Sequence, residues 1–390
     1  MHNLTKELNE IRNQLSYSKR LGLFLGAGTS KSIGISDIAK LTKTVEKNLN
    51  KADGEVYEKL KLCFPDDSNG YETIEDYLNQ LRLIRKITFE QANREFHEID
   101  GEQAKELDIR ICSEIYKIIS AEEEMADPTV PLKFAAWLNW LSRDYPKEIF
   151  TTNYDLIFEK AFESLMIPYF DGFVGSYEPF FLPETIEKEA TSETPPSSWI
   201  RLWKLHGSLS WFWKPDSEGN KDRIIRLGSN IKPKGLYDEI VIYPSREKYE
   251  SSRKQPFISY FDRLKSFLND GERLFIINGY SFSDDHINAQ IFDSLRHNNR
   301  LHVMVFFYSD KSLEKLVKEG RIYPNLSVYG AKKAIINGIV GKWDEESVSE
   351  LSKDFWDNTK KKLMLGDFKE LIRFFLVCSG RKEKLEEEVS

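Results

Sequence analysis

Residues 21–37 read LGLFLGAGTSKSIGISD, and this stretch decides the fold class. Its first five residues are a short apolar run, which is typical of a buried parallel strand. Glycines, serines and a threonine follow at once, so the strand is predicted to enter a loop and then a helix. Such a loop lets the backbone approach a phosphate, and the N–H groups of the helix start favour an anion. A plain strand-to-helix turn explains the residues equally well, because Lys31 stands where the pattern GxGxxG has its third glycine.

Later apolar runs extend this arrangement along the chain. Strands are predicted at residues 148–152, 199–205, 239–243, 273–278 and 301–308, with a helical pattern at 284–296. Strands interleaved with helices predict an α/β fold built on a Rossmann-like, doubly wound parallel sheet.

Three other regions have helical periodicity. We expect an N-terminal helix within residues 1–20, an inserted helical module at 41–142 and a helical C-terminal region at 336–390. Within the helical module, Thr73 and Asp76 are spaced for a variant of the capping box. Residues 171–198 are rich in Pro, Glu, Ser and Thr and are predicted to form an exposed loop.

Composition narrows the function classes. The 390 residues carry a net charge of −7, which argues against a surface that binds nucleic acid directly. The three cysteines are far apart and form no CxxC pair, so neither a disulfide framework nor a four-thiolate zinc site is expected. There is no apolar signal-peptide core and no run of about 18 apolar residues. We therefore expect a soluble cytoplasmic protein that does not enter a membrane.

The second motif, FTTNYD at residues 150–155, ends another apolar strand with polar side chains. Ligands of open α/β sheets bind at the carboxyl ends of the strands, which makes Asn153 and Asp155 candidate site residues. Either residue could instead cap the helix that begins in LIFEKAFESL.

The third motif, WKLHGSLSWFW at residues 203–213, places His206 at a strand end before a glycine. Histidine exchanges a proton near neutral pH, so His206 is a candidate acid or base. A histidine held in a structural hydrogen bond is the alternative. The surrounding tryptophans fit either an apolar pocket or the core.

The fourth motif, FIINGYSFSDDHIN at residues 275–288, again passes from an apolar strand through glycine and serine into a helix. Gly279 would allow close approach of a ribose or phosphate, and Ser281 could form a hydrogen bond with it. Ser283 or Asp284 is expected to cap the helix.

Together, GAGTSKSIGISD, TTNYD, LHGS and NGYSFSDDHIN, in this order and each at a strand end, resemble the sirtuin family. The resemblance covers roughly residues 20 to 330. It implies that 21–40 and 143–335 form a sirtuin-like NAD-binding domain. TIEDYLNQL and GYSFSDDHIN are similar to the bacterial antiphage defence branch of that family.

The resemblance also implies which residues bind NAD. Asp37 would lie near the nicotinamide pocket, and Gly279 and Ser281 near the adenosine. The residues implied near the pyrophosphate are Gly26, Ala27, Gly28 and Ser30.

For catalysis, the resemblance implies that Asn153 and Asp155 surround the nicotinamide ribose and that His206 is the catalytic histidine. The chain lacks the four-cysteine zinc module of the deacylating sirtuins, so no metal is expected. The implied activity is hydrolysis of NAD, as substrate, to nicotinamide and ADP-ribose.

The defence branch implies an NAD-depleting effector in antiphage defence and abortive infection. Control would come from homo-oligomerisation or from a partner such as a HerA-like hexameric ATPase. Two alternatives stay open: an NAD-dependent protein deacylase, and a non-catalytic scaffold that senses NAD or ADP-ribose for a partner ATPase or nuclease.

Overall fold

The strands of the described residues form a ten-stranded sheet, a five-stranded sheet and two short hairpins. The computed structural model describes residues 1–64, 72–187, 195–215, 221–228, 240–242 and 255–380. Its strands are β1 (His2–Asn3), β2 (Leu21–Leu25), β3 (Glu95–Phe96), β4 (Ile99–Asp100), β5 (Glu148–Thr151), β6 (Tyr169–Phe170), β7 (Phe173–Val174), β8 (Phe180–Phe181), β9 (Ile200–Lys204), β10 (Gly207–Pro215), β11 (Lys221–Arg226), β12 (Ile240–Ile242), β13 (Arg273–Asn278), β14 (Leu301–Phe306), β15 (Leu326–Tyr329), β16 (Lys333–Ile336), β17 (Ile339–Asp344), β18 (Trp356–Asp357) and β19 (Lys362–Leu363).

Helices cover both faces of the large sheet and join most of its strands. They are α1 (Leu4–Tyr17), α2 (Ala27–Ser32), α3 (Ile38–Asn48), α4 (Lys51–Lys61), α5 (Ile74–Thr88), α6 (Gly101–Met125), α7 (Thr129–Trp140), α8 (Ile157–Ser164), α9 (Glu184–Glu187), α10 (Phe257–Asn269), α11 (Asp285–His297), α12 (Asp310–Glu314), α13 (Val317–Ile322), α14 (Glu350–Lys353) and α15 (Phe368–Ser379), with a 3₁₀ turn at Glu345–Ser347.

The large sheet has the strand order β1-β17-β16-β15-β14-β13-β2-β5-β9-β6. From β15 to β6 every neighbouring pair is parallel, whereas β16 and β17 are antiparallel additions at one side. The prediction of an α/β fold with a parallel-dominated sheet is confirmed.

Side chains on the two faces of the sheet belong to two separate cores. In β2, Leu21, Leu23 and Leu25 face one core and Phe24 faces the other. Helices α5, α6, α7 and α15 supply the first core, and α10 and α11 supply the second. Because both faces are buried, the strand has no polar positions, which is why it appears in the sequence as a continuous apolar run.

Between β2 and β5, which are neighbours in the sheet, the chain forms helices α2 to α7. The predicted capping box of Thr73 and Asp76 is confirmed at the start of α5. The apolar stripe of α5 is buried, and it includes Leu78, Leu81 and Ile84.

The five-stranded sheet, in the order β12-β10-β11-β8-β7, is antiparallel and was not expected. Its strands β7 and β8, with α9, occupy part of the segment 171–198 that was predicted to be an exposed loop, so that prediction is wrong for 173–174, 180–181 and 184–187. The rest of this loop prediction includes 188–194, which lie outside the described residues. β7 and β8 were missed because each is two residues long; β7 pairs with β8, and β8 also pairs with β11.

The C-terminal region is only partly helical, which corrects the expectation for 336–390. Strand β17 extends the large sheet, and β18 and β19 form a hairpin before α15. β17 pairs with β16, and the local sequence pattern does not specify that partner. Residues 381–390 lie outside the described residues.

Candidate active site

A cleft of about 560 Å³ lies at the carboxyl ends of β2, β5, β9 and β13. From β2 the chain continues to β5 and β9 on one side, and later to β13, β14 and β15 on the other side. This reversal of strand order opens a crevice beside β2, which is where open α/β sheets bind ligands. The volume is within the usual range of about 300–1,000 Å³ for small-molecule sites.

Two loops meet at the back of the cleft, after β2 and after β13. The Gly28 N–H donates to the Gly279 carbonyl oxygen at 2.8 Å, and the Gly26 N–H donates to the Asn278 oxygen at 3.0 Å. A Cβ at Gly26 or Gly28 would lie 2.6 Å from backbone atoms of Gly279, and Gly279 itself has φ +68°. The contact between the two loops therefore requires all three glycines, in addition to any role toward a phosphate.

Asn153 is fixed by its amide nitrogen. Nδ2 donates to the Ser30 Oγ at 2.8 Å, to the Gly26 oxygen at 3.1 Å and to the Thr29 Oγ1 at 3.2 Å. The side chain is buried, and its Oδ1 has no hydrogen-bond partner among the described residues. Because a buried acceptor without a partner is unfavourable, Oδ1 is suited to a donor that arrives from outside the protein.

Asp155 continues the same hydrogen-bond chain. The Ser30 hydroxyl, which accepts from Asn153, donates to the Asp155 Oδ2 at 2.7 Å. Helix α8 begins at Ile157 with Leu156 at its N-cap. From this helix the Asp155 carboxylate accepts a long hydrogen bond, 3.4 Å from the Ile157 N–H. The capping alternative therefore accounts for little of what holds this carboxylate.

His206 lies where β9 ends, and Gly207 with φ +101° turns the chain into β10. The His206 Nε2 is 3.1 Å from the Asp284 Oδ2, and both side chains are buried. An ionised carboxylate only accepts hydrogen bonds, so Nε2 carries a proton in this arrangement. Asp284 also accepts from the first N–H groups of α11, which fixes the carboxylate.

Lys204, two residues before His206, contacts the loop that carries Asn153 and Asp155. Its ammonium donates to the backbone oxygens of Asn153, at 3.4 Å, and Asp155, and forms an ion pair with Glu159 at 3.0 Å. Burial raises the pKa of Glu159 to about 7, and the Lys204 ammonium opposes that shift. The lysine thus joins β9 to the turn that carries the candidate catalytic side chains.

The remaining predicted residues also lie near the cleft. Asp37 caps α3, and the Lys31 ammonium, 2.5 Å away, holds the pKa of this carboxyl below its usual range. Ser281 is exposed and its hydroxyl is 2.9 Å from that of Ser283. All the sequence-predicted site residues except Gly26 line the cleft; those that do are Ala27, Gly28, Ser30, Asp37, Asn153, Asp155, His206, Gly279 and Ser281.

Sequence reasoning missed several cleft residues. Asp284 was expected only as a helix cap, and its pairing with His206 depends on residues 78 positions apart. Tyr154 and Glu75, whose side chains bond at 2.7 Å, join the inserted helices to the cleft wall. Tyr280 lines the cleft and donates to the Asn288 Oδ1 at 3.0 Å. The available sequence signal was that Tyr154, Tyr280 and Asp284 lie inside the motifs at residues 150–155 and 275–288.

Within the ranges that the structure describes, no group of three or more His, Cys, Asp or Glu side chains is placed to hold a metal ion. No helix in those ranges is both long enough and apolar enough to cross a membrane.

The family comparison matches this part of the molecule. Residues 147–324 match the SIR2-like domain. The matched SIR2-like region includes Asn153, His206 and Gly279 but leaves out the β2 loop with Gly26 and Gly28. No curated protein matches the chain significantly in sequence.

Solved sirtuin structures align with about three-quarters of the chain at low identity. A sirtuin structure concerned with substrate affinity is 11% identical, with a TM-score of 0.32, over 76% of this chain and 86% of that chain. A Sir2 homologue in complex with NAD is 13% identical, with a TM-score of 0.34, over 76% and 81%. A Sir2 homologue mutant in complex with 2′-O-acetyl ADP-ribose is 12% identical, with a TM-score of 0.31, over 76% and 83%.

Proposed function

We propose that the protein is an NAD glycohydrolase that converts NAD to nicotinamide and ADP-ribose. The observation that carries this proposal is the convergence of Asn153, Asp155 and His206 in one cleft at the crevice of a parallel sheet. The match of residues 147–324 to the SIR2-like domain supports NAD as the substrate class.

The cleft offers suitable groups for NAD. Its polar lining includes the hydroxyls of Ser30 and Ser281 and the unpartnered Oδ1 of Asn153. We assign the pyrophosphate to the β2 loop, the adenosine to the loop at Gly279, and the nicotinamide riboside to the side of Asp37 and Asn153. Carboxylates on that side would favour the positively charged nicotinamide ring.

Cleavage of the bond between nicotinamide and ribose passes through an oxocarbenium-like state, as in glycoside hydrolysis. The Asp155 carboxylate would stabilise the positive charge that develops on the sugar. Asn153 Oδ1 would accept a hydrogen bond from the attacking water and so position it. Neither task needs a metal.

His206 would accept the proton that the attacking water loses. The Asp284 carboxylate, 3.1 Å from Nε2, would orient the ring and stabilise the imidazolium that forms. Asp284 is thus a positioning residue in this proposal.

The biological setting follows from motif resemblance. TIEDYLNQL and GYSFSDDHIN are similar to the antiphage defence branch, so we propose a cytoplasmic effector that depletes NAD during abortive infection. We further propose control by homo-oligomerisation or by a HerA-like hexameric ATPase. Purification from cells that express the chain with its neighbouring genes, followed by measurement of mass in solution, tests both forms of control; a lone monomer would contradict them.

The activity is tested by incubating the full-length chain with NAD, with and without a co-expressed partner, and separating the products by chromatography. We expect nicotinamide and ADP-ribose without any acylated peptide. Formation of O-acyl-ADP-ribose only with an acylated peptide would instead identify a deacylase. NAD binding without turnover in every preparation would identify the sensing scaffold.

A further inference from the structure

A second cavity, of about 200 Å³, lies at the opposite edge of the sheet, where the parallel strands begin. Among the described residues, four guanidinium groups and two carboxylates line it, an excess of two positive charges in a chain of net charge −7. These charged residues are Arg20, Arg201, Arg263 and Arg273, with Glu148 and Asp270. We call this cavity the arginine pocket.

Both carboxylates of the arginine pocket are already engaged. Glu148 binds Arg263 through both of its oxygens, with Nε to Oε2 at 2.8 Å. Asp270 pairs with Arg20 at 2.8 Å and with Arg273 at 2.6 Å. Neither carboxylate forms a direct ion pair with Arg201, although Glu148 acts on it at longer range.

Arg201 is buried, and the carboxylate that acts on its charge is that of Glu148, the residue opposite it on β5. Only 6% of the residue is exposed, and its guanidinium donates to the carbonyl oxygens of Pro195 at 2.6 Å and Trp199 at 3.2 Å. It forms no ion pair with any described residue. Burial lowers its pKa to about 10; attraction to the Glu148 carboxylate opposes this shift, and repulsion from Arg263 adds to it. A charge held in this way is unfavourable unless an anion accompanies it.

Arg273 gives a second, independent indication. Its side chain is 5% exposed, and its Nε has no hydrogen-bond partner among the described residues. Two buried guanidiniums of the pocket thus retain unused capacity, one for charge and one for a hydrogen bond. Guanidinium forks match the oxygens of phosphate or carboxylate groups.

We propose that the arginine pocket binds a small phosphate-bearing dianion. Phosphate fits better than a single carboxylate because two positive charges are in excess. The cavity volume accommodates inorganic phosphate or a diphosphate but is well below the cleft's 560 Å³. The site lies across the sheet from the cleft and does not depend on the proposed NAD chemistry.

Isothermal titration calorimetry of the full chain at constant ionic strength tests the proposal, with inorganic phosphate and pyrophosphate as separate probes. We expect saturable one-site binding of at least one probe. Arg201→Gln and Arg273→Gln should each weaken it at least ~10-fold, because each removes a charge-assisted contact. The difference between the two probes shows whether one or two phosphoryl groups are accommodated.

Two controls locate the site. Arg300→Gln changes an exposed arginine beside β14, at the same edge but outside the pocket, and should leave affinity unchanged. His206→Ala changes the cleft and should also leave affinity unchanged. Thermal melts establish that each variant is folded, and Arg201→Lys keeps the charge if Arg201→Gln does not fold. No saturable binding by the wild type, or binding lost in His206→Ala and kept in folded Arg273→Gln, would overturn the proposal.

Discussion

The two edges of the central sheet differ in chemistry although the same strands form both. Counted over the described residues, the carboxyl edge opens into a cleft with five carboxylates and one lysine, whereas the amino edge has four arginines and two carboxylates. The acidic residues of the cleft are Asp37, Glu75, Asp76, Asp155 and Asp284, and its lysine is Lys31.

The difference lies in how each charge is balanced. At the carboxyl edge the Asp155 and Asp284 carboxylates accept hydrogen bonds from within the protein. At the amino edge the buried Arg201 guanidinium donates to carbonyl oxygens, while the Glu148 carboxylate opposite it is bound to Arg263. Arg201 is the second residue of β9, and His206 follows the end of this strand. One short strand therefore connects a cationic pocket to a cleft rich in acids. Strand polarity therefore gives one sheet two sites of opposite charge.

The largest expected effect concerns the cleft at the carboxyl edge. His206→Ala should lower NAD turnover by ~10²–10⁴-fold, the usual contribution of a general acid or base. Nicotinamide release measured by chromatography gives the rate. His286→Ala is the matched control, because this exposed histidine on α11 does not line the cleft and should retain full turnover. Wild-type rates in a folded His206→Ala variant would remove the histidine from the mechanism.

Lys204→Met tests how much the buried contacts of Lys204 contribute to the stability of the carboxyl edge. Removing Lys204 costs about 3–5 kcal/mol in the free energy of unfolding, because Glu159 and the backbone oxygens of Asn153 and Asp155 lose their buried partner. Denaturant titration measures the loss. Lys214→Met, at a more exposed pair with Glu178, should cost only about 0–1 kcal/mol. Equal losses for the two variants would show that the buried contacts of Lys204 contribute no more to stability than an exposed ion pair.

Gly279→Ala tests the contact between the two cleft loops. At φ +68° a side chain costs about 1–2 kcal/mol, and its Cβ would lie 2.4 Å from the Thr29 backbone nitrogen. We expect a lower melting temperature and weaker NAD binding. Gly54→Ala, inside α4 with open space around it, should instead stabilise the protein by about 0.5–1 kcal/mol. A neutral Gly279→Ala variant would contradict the loop packing.

The last prediction concerns pH. The folded-state pKa of Glu159, about 7, is above its ordinary value of 4.5, so folding favours the protonated acid. This contribution to stability is fully present below pH 4.5 and is lost as the pH rises to about 7. Glu159→Gln should therefore reduce the decline in unfolding free energy over that window. Glu163→Gln, on the same helix, is the control, and an unchanged wild-type slope in Glu159→Gln would refute the assignment.

Local sequence pattern was sufficient for the strands that face two cores. Leu21–Leu25 and Arg273–Asn278 were predicted because burial on both faces leaves an apolar run ended by glycine. Short strands such as Phe173–Val174 were not predicted, since two residues carry no period and pairing alone stabilises them.

The candidate site was predictable in part for the same reason. Asn153 and His206 follow strand ends, and the parallel arrangement brings such ends to one edge. The bond between His206 and Asp284 was not predictable, because it joins β9 to a helix cap on the far side of β13. The arginine pocket had no sequence signal, since its four arginines are dispersed from residue 20 to residue 273.

By itself the sequence determined the type of the main strands, the glycine turns that end them and the polar residues placed there. Hydrophobic periodicity and backbone freedom are local properties, which is why a single chain segment specifies them. Only the tertiary structure decided which loops meet, which carboxylate holds His206 and where the excess positive charge gathers. These outcomes depend on strand order, and strand order is set by the packing of residues that are far apart in the chain.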